Sequence, residues 1–191
     1  MLLYPHFDIN DQGHLTVGGL DTVALAKEYG TPVNLLDENV VRAQMRLYLR
    51  CAKQYFGESA LPLFASKALC CAEIYRIAAE EGMGIDCVSP GELYIASRVG
   101  FPASRIYFHG NNKTDADLAQ ALDMGVGTFV VDNAEELDAL NEQSLARGTR
   151  ARILLRITPG IDPHTHKAIS TGGVDSKFGS PIMTGQAEAI V

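Results

Sequence analysis

The chain lacks the marks of several protein classes. Its longest apolar runs, such as Ile153-Leu154-Leu155, fall far short of the roughly 20 residues a membrane-spanning helix needs. Lys and Arg form no stripe and the formal net charge is −7, which argues against nucleic acid as a partner. The four cysteines, Cys51, Cys70, Cys71 and Cys87, make no C-x-x-C pair, so neither a disulfide framework nor a structural zinc site is expected. Buried free thiols in a reducing compartment are expected instead, with Cys70 and Cys71 in a helix and Cys87 at a strand end. Met1-Leu2-Leu3-Tyr4-Pro5 carries no basic leader, and the expected location is cytoplasmic. No G-x-G-x-x-G follows the first predicted strand, which disfavours a dinucleotide-binding fold.

What is present is an ordinary globular composition, 47% apolar and 20% charged. From about residue 60 onward, short apolar runs alternate with amphipathic segments. The runs are Leu61–Ala65, Gly84–Val88, Arg105–Phe108, Gly127–Val131 and Ala151–Ile157, rich in Ile, Val and Phe as buried parallel strands are. Ser89-Pro90-Gly91-Glu92 predicts a capping box, and Thr114–Asp117 and Asp132–Glu135 resemble the same arrangement. Gly82, Gly100, Gly125 and Gly148 are placed to end the helices. Five strands alternating with helices imply an α/β fold with a parallel sheet. Upstream, Val33–Leu36 predicts an isolated strand and Asp37–Tyr55 a helix. Residues 1–36 are expected to form another unit, or to lie along the side of the barrel, with residues 37–191 forming an incomplete β/α barrel.

Lys67, Asp86, His109, Asp132 and Arg156 stand at or just after successive strand ends, separated by 19, 23, 23 and 24 residues. In a β/α barrel such positions converge on one mouth. Each residue also has a plainer explanation. Asp132 fits a helix cap, Asp86 and Arg156 an ion pair inside the barrel, and His109 a bond to neighbouring backbone. Lys67, after Phe64-Ala65-Ser66, is the sharpest candidate. Apolar surroundings would desolvate its amine and favour the neutral nucleophile that Schiff-base chemistry requires, although lysines also snorkel from barrel ends.

Phe64-Ala65-Ser66-Lys67-Ala68 resembles the cofactor-lysine segment of the pyridoxal-phosphate (PLP) decarboxylases with an alanine-racemase-like barrel. Gly84–Leu93 is similar to the segment that follows it in that family. Phe108-His109-Gly110-Asn111-Asn112-Lys113 and Pro159–His166 resemble the diaminopimelate branch more narrowly, and Asp175-Ser176-Lys177-Phe178-Gly179 completes the series. The resemblance implies a partial (β/α)8 barrel with about five of the eight strands present. It also implies a β-rich second domain to which residues 1–36 contribute. On the same resemblance, Lys67 bonds PLP and is catalytic, while Asp86, His109 and Arg156 line the cofactor site. The substrate implied is meso-diaminopimelate, converted to lysine and carbon dioxide, and the full-length protein is implied to be a homodimer. Val33-Asn34-Leu35-Leu36-Asp37 departs from the more aromatic strand usual in the family. The family's ring-stacking histidine, glycine-rich phosphate loop and acidic partner of the pyridine nitrogen do not occur within these 191 residues.

Other readings stay open on the residues alone. Ornithine and arginine decarboxylases share the lysine and Lys-Phe-Gly segments. His164-Thr165-His166, with Asp162 and His109, has the composition of a metal-dependent hydrolase site, although no metal is expected. A non-catalytic homologue acting through a partner is the third. On the favoured reading, the 191-residue polypeptide alone is inactive, and incubation with PLP and diaminopimelate should yield no lysine above background. Substantial lysine formation would overturn that expectation.

Overall fold

The computed structural model describes residue 4, residues 6–161 and residues 177–191. Two compact units divide it, Met1–Ala60 and Leu61–Val191.

In the first unit, β1 (Phe7–Ile9), β2 (Leu15–Val17) and β3 (Leu20–Asp21) form an antiparallel sheet. Asp21 then caps α1 (Thr22–Tyr29), accepting from the amides of Val23 and Ala24. His14 Nδ1 lies 2.9 Å from the Asp21 carboxylate, and that contact holds the carboxyl down at about 2. Asp37 caps α2 (Glu38–Phe56) in the same way, through the amides of Asn39 and Val40, close to the helix expected there. Val33–Leu36 is not a strand: it pairs with no neighbour among the described residues, and Val33, Leu35 and Leu36 are exposed. Without a ladder partner its apolar content has no sheet to join. The unit includes α2, whereas the sequence divides most naturally at residues 36 and 37.

The second unit is built on a parallel sheet of β4 (Leu63–Ala65), β5 (Gly84–Cys87), β6 (Ile106–Phe108), β7 (Thr128–Val131) and β8 (Ile153–Leu155). All five expected strands are present within a few residues of their predicted bounds. Helices α3 (Ala72–Glu81), α4 (Pro90–Arg98), α5 (Asp115–Asp123) and α6 (Ala134–Ala146) make the connections. Beyond β8, the two-residue β9 (Ile157–Thr158) pairs in parallel with β10 (Ser180–Pro181), and α7 (Gln186–Ile190) follows.

The strand order is strictly sequential. Right-handed crossovers taken always in one direction keep every helix on one face, the winding of a barrel; an open doubly wound sheet reverses at a switch point. Burial agrees. Ile85, Cys87, Ile106 and Phe108 are almost fully buried, and the rings of Phe108 and Phe129, paired across strands, meet edge to face at 6.4 Å. Because successive strand residues point to opposite faces, Asp86, Tyr107 and Leu154 lie on the other side. There Leu154 is 49% exposed.

The helix ends follow the sequence closely. Thr114 and Asp117 form a reciprocal capping box, and Gly82, Gly100, Gly125 and Gly148 all take positive φ beyond the helices. At Ser89 the box is only half made. Ser89 Oγ accepts from the Glu92 amide, while the Glu92 carboxylate reaches one residue further back, to the Val88 amide. The cysteines differ from expectation as well. Only Cys87 is buried; Cys70 is exposed, since α3 begins at Ala72 with Cys71 as its cap.

At the foot of β7, a Cβ added to Gly127 would lie 2.3 Å from the Ser104 carbonyl oxygen, a backbone atom that cannot swing aside. Gly127→Ala is expected to destabilise the chain by about 1–3 kcal/mol, typical of overpacking. This would be read as a lower urea midpoint at unchanged slope; an unmoved midpoint contradicts the close approach.

Candidate active site

The ends of the parallel strands are held level by ladder bonds that run one residue beyond the strands themselves. The His109 amide donates to the Cys87 carbonyl and the Arg156 amide to the Val131 carbonyl, each at 2.8 Å. Register pairs Ala65 with Asp86 on the first two strands. Lys67 sits on a single 3-10 turn, Ser66–Ala68, directly after β4.

Four of the expected site residues act on one another. The half-buried Asp86 carboxylate lies 3.6 Å from His109 Nε2, too far for a hydrogen bond, and its Oδ1 is buried with no hydrogen-bond partner. Burial pushes the Asp86 carboxyl up, against the opposing pull of His109, Lys67 and Arg156. Burial pushes His109 down; Asp86 opposes this, while Arg156, Lys113 and Lys67 reinforce it. Lys67, Asp86, His109 and Arg156 therefore share one electrostatic neighbourhood at the strand ends.

Arg156 is positioned from two sides. Its Nη1 is 3.4 Å from Asp132 Oδ1, and its Cζ lies 4.1 Å from the centre of the Phe178 ring. Asp132 also accepts from the Gly179 amide at 3.0 Å, and the Thr158 hydroxyl donates to the Phe178 carbonyl. Gly179 takes φ +69°, and a Cβ there would lie 2.8 Å from the Arg156 carbonyl oxygen. The Lys-Phe-Gly segment is thus docked against the arginine end of β8 and β9.

Three expectations need correction. Asp132 is not a helix cap: it is 5% exposed, and Asn133 caps α6 through the Glu136 amide. The ion pairs are Asp132 with Arg156 and Asp86 with His109; Asp86 does not pair with Arg156. Lys67 is exposed, because it sits on the 3-10 turn that follows β4, past the end of the ladder. Burial therefore does not supply the desolvation expected of it.

A buried ion pair went unread in the sequence. Lys113 Nζ lies 2.7 Å from Glu136 Oε1, with the two side chains 2% and 4% exposed. Lys113 also donates to the carbonyls of Gly110 and Val130, while Glu136 Oε2 accepts from the Asp132 amide. The pair ties the loop after His109 to β7 and to the start of α6. Its signal was the glutamate three residues beyond the cap, repeated at Ser89–Glu92 and Asn133–Glu136.

Asp162, His164, Thr165 and His166, with Asp175 and Ser176, lie outside the described residues. Among those described, no three His, Cys, Asp or Glu side chains gather as a metal site. No helix among them is long and apolar enough to cross a membrane.

A sequentially wound β/α sheet that gathers an amine, an imidazole, a guanidinium and two carboxylates at its strand ends is the architecture of a barrel enzyme. The family model for the pyridoxal binding domain of pyridoxal-dependent decarboxylases matches residues 41–191, and the chain belongs to that family. It is 46% identical over 186 residues to the diaminopimelate decarboxylase of Halalkalibacterium halodurans, covering 96% of this chain and 42% of the relative. Against the Bacillus subtilis diaminopimelate decarboxylase it is 43% identical over 185 residues, 95% of this chain and 41% of that one. Among solved structures, the diaminopimelate decarboxylase of M. jannaschii in complex with L-lysine superimposes with a TM-score of 0.87 at 33% identity, over 100% of this chain and 44% of that one. The lysine/ornithine decarboxylase of Vibrio vulnificus with putrescine gives 0.66 at 28% identity, over 89% and 40%. The chain spans about two fifths of the length of the curated relatives it matches.

The raised Asp86 carboxyl has a consequence for stability. A folded-state value above the unfolded one means that Asp86 favours folding below the ordinary carboxylate range, and that this contribution is lost as pH rises through the raised value. Above the ordinary carboxylate range the buried carboxyl opposes folding. Asp86→Asn is therefore expected to raise the thermal midpoint at pH 7 and to move it little at pH 3. A lowered midpoint at pH 7 contradicts this.

Proposed function

We propose that the full-length protein is a PLP-dependent decarboxylase that removes one α-carboxylate of meso-diaminopimelate, giving L-lysine and carbon dioxide. The observation that carries the proposal is the meeting of Lys67, Asp86, His109 and Arg156 at one set of strand ends, in a chain that belongs to the pyridoxal-dependent decarboxylases. The diaminopimelate assignment draws on the 40–46% identity to proteins of that name.

The residues fit an anionic aldehyde. Lys67 offers an exposed primary amine, Arg156 a fixed cation, and Asp86 a buried carboxylate oxygen with no hydrogen-bond partner. When bound, the cofactor supplies the carbonyl for that amine and a ring able to take up the electron pair left as carbon dioxide departs. Lys67 would hold it. Arg156, braced by Asp132 and Phe178, keeps its charge in one place for an anionic group of cofactor or substrate. Asp86 and His109 form a carboxylate–imidazole pair beside the amine, where a proton can be exchanged without full exposure to water. The proposal includes a homodimer, a small-molecule substrate and a cytoplasmic setting, the last consistent with four free thiols.

Two measurements on the full-length protein test the assignment. Borohydride reduction with PLP should fix the cofactor on the peptide containing Lys67, and Lys67→Ala should abolish that label and lower lysine formation by about a thousandfold or more. A label on a different lysine, or turnover of ornithine or arginine in preference to diaminopimelate, contradicts it.

A further inference from the structure

Lys67 is exposed, whereas the residue before it is anchored in the core. Ser66 is fully buried, and its hydroxyl lies 3.8 Å from the thiol of Cys87 on the neighbouring strand. Tyr75 from α3 is fully buried as well. Its hydroxyl interacts with Ser66, and it reaches the Cys70 thiol at 3.6 Å. The Phe101 ring meets the Tyr75 ring edge to face at 6.5 Å, which fixes the phenol in place. Burial pushes the Cys87 thiol up to about 12 and raises the Tyr75 phenol too, so the cluster is a neutral chain of hydroxyls and thiols.

The geometry assigns a purpose to a polar cluster that an apolar core would otherwise omit. Alternation along an extended chain has a period of two. Register places Ala65 beside Asp86, so Ser66 falls beside Cys87 on the helix-packed side, and Lys67 follows on the same 3-10 turn, within electrostatic reach of Asp86 and His109. A turn anchored differently after β4 would carry the lysine away from Asp86 and His109. We infer that Tyr75 and Ser66, with Cys87, anchor the turn that presents Lys67 to Asp86 and His109, making Tyr75 and Ser66 positioning residues for the amine. The inference rests on the proposed cofactor role of Lys67.

The test uses the full-length protein and pyridoxal phosphate as the probe, with borohydride quenching at timed intervals and mass spectrometry of the Lys67 peptide. Tyr75→Phe removes one hydroxyl and keeps the ring; Ser66→Ala removes the other. Each is expected to slow labelling of Lys67 by about tenfold, the scale of one lost buried hydrogen bond. The double variant should be little slower than either single one, as members of one network behave. Leu118→Ala, equally buried but remote in α5, should lower the thermal midpoint and leave the labelling rate unchanged. Wild-type rates in both hydroxyl variants overturn the inference, as does equal slowing in Leu118→Ala. If Tyr75→Phe does not fold, Ser66→Ala decides on the same criterion. Absence of Lys67 label in the wild-type protein would sink the cofactor assignment itself, a distinct outcome.

Discussion

Everything at the strand ends depends on the parallel ladder of β4 to β8, wound in sequence order and bonded one residue past its own ends. That ladder brings residues some twenty positions apart in sequence to a common level. Alternation then sorts them between the helix-packed face and the face that carries Asp86. The close approaches at Gly84 and Gly127 belong to the opposite end of the same strands, where there is no room for a side chain. One end of the sheet is packed for stability and the other is left polar for chemistry.

The polar end is held at a cost. Asp86 keeps a buried oxygen without a hydrogen bond beside a half-buried histidine, an arrangement that weakens the fold unless something else at the site completes it. Around this pair the framework is heavily tied. The Lys113–Glu136 pair, Asp132 with its contacts to Arg156 and Gly179, and the Phe178 ring all fix backbone or cation rather than react. Functional groups supported by a rigid second layer are what a precise site requires.

The fold was legible because its signals are local. Strand cores such as Gly127–Val131 are continuous apolar runs, Thr114–Asp117 states its own helix start, and the four glycines mark helix ends. The candidate site was legible in position, since strand ends follow from strands. Its pairings were not. Whether Arg156 meets Asp86 or Asp132 depends on how far each side chain reaches across the mouth, and sequence spacing is silent on that. Lys113 reads as a surface lysine until Glu136 is seen beneath it. The exposure of Lys67 follows from the 3-10 turn that carries it, and the absence of a strand at Val33–Leu36 from the lack of a ladder partner among the described residues. In each case tertiary context overrode composition.

The claim at the centre of this account is that Lys67, Asp86 and His109 feel one another's charge at a single mouth. The most direct test is an NMR titration of the His109 ring in the wild-type protein and in Lys67→Ala and Asp86→Asn. Removing the cation should raise the histidine midpoint and removing the carboxylate should lower it. A His109 titration indifferent to both substitutions would show that the three groups do not share a site.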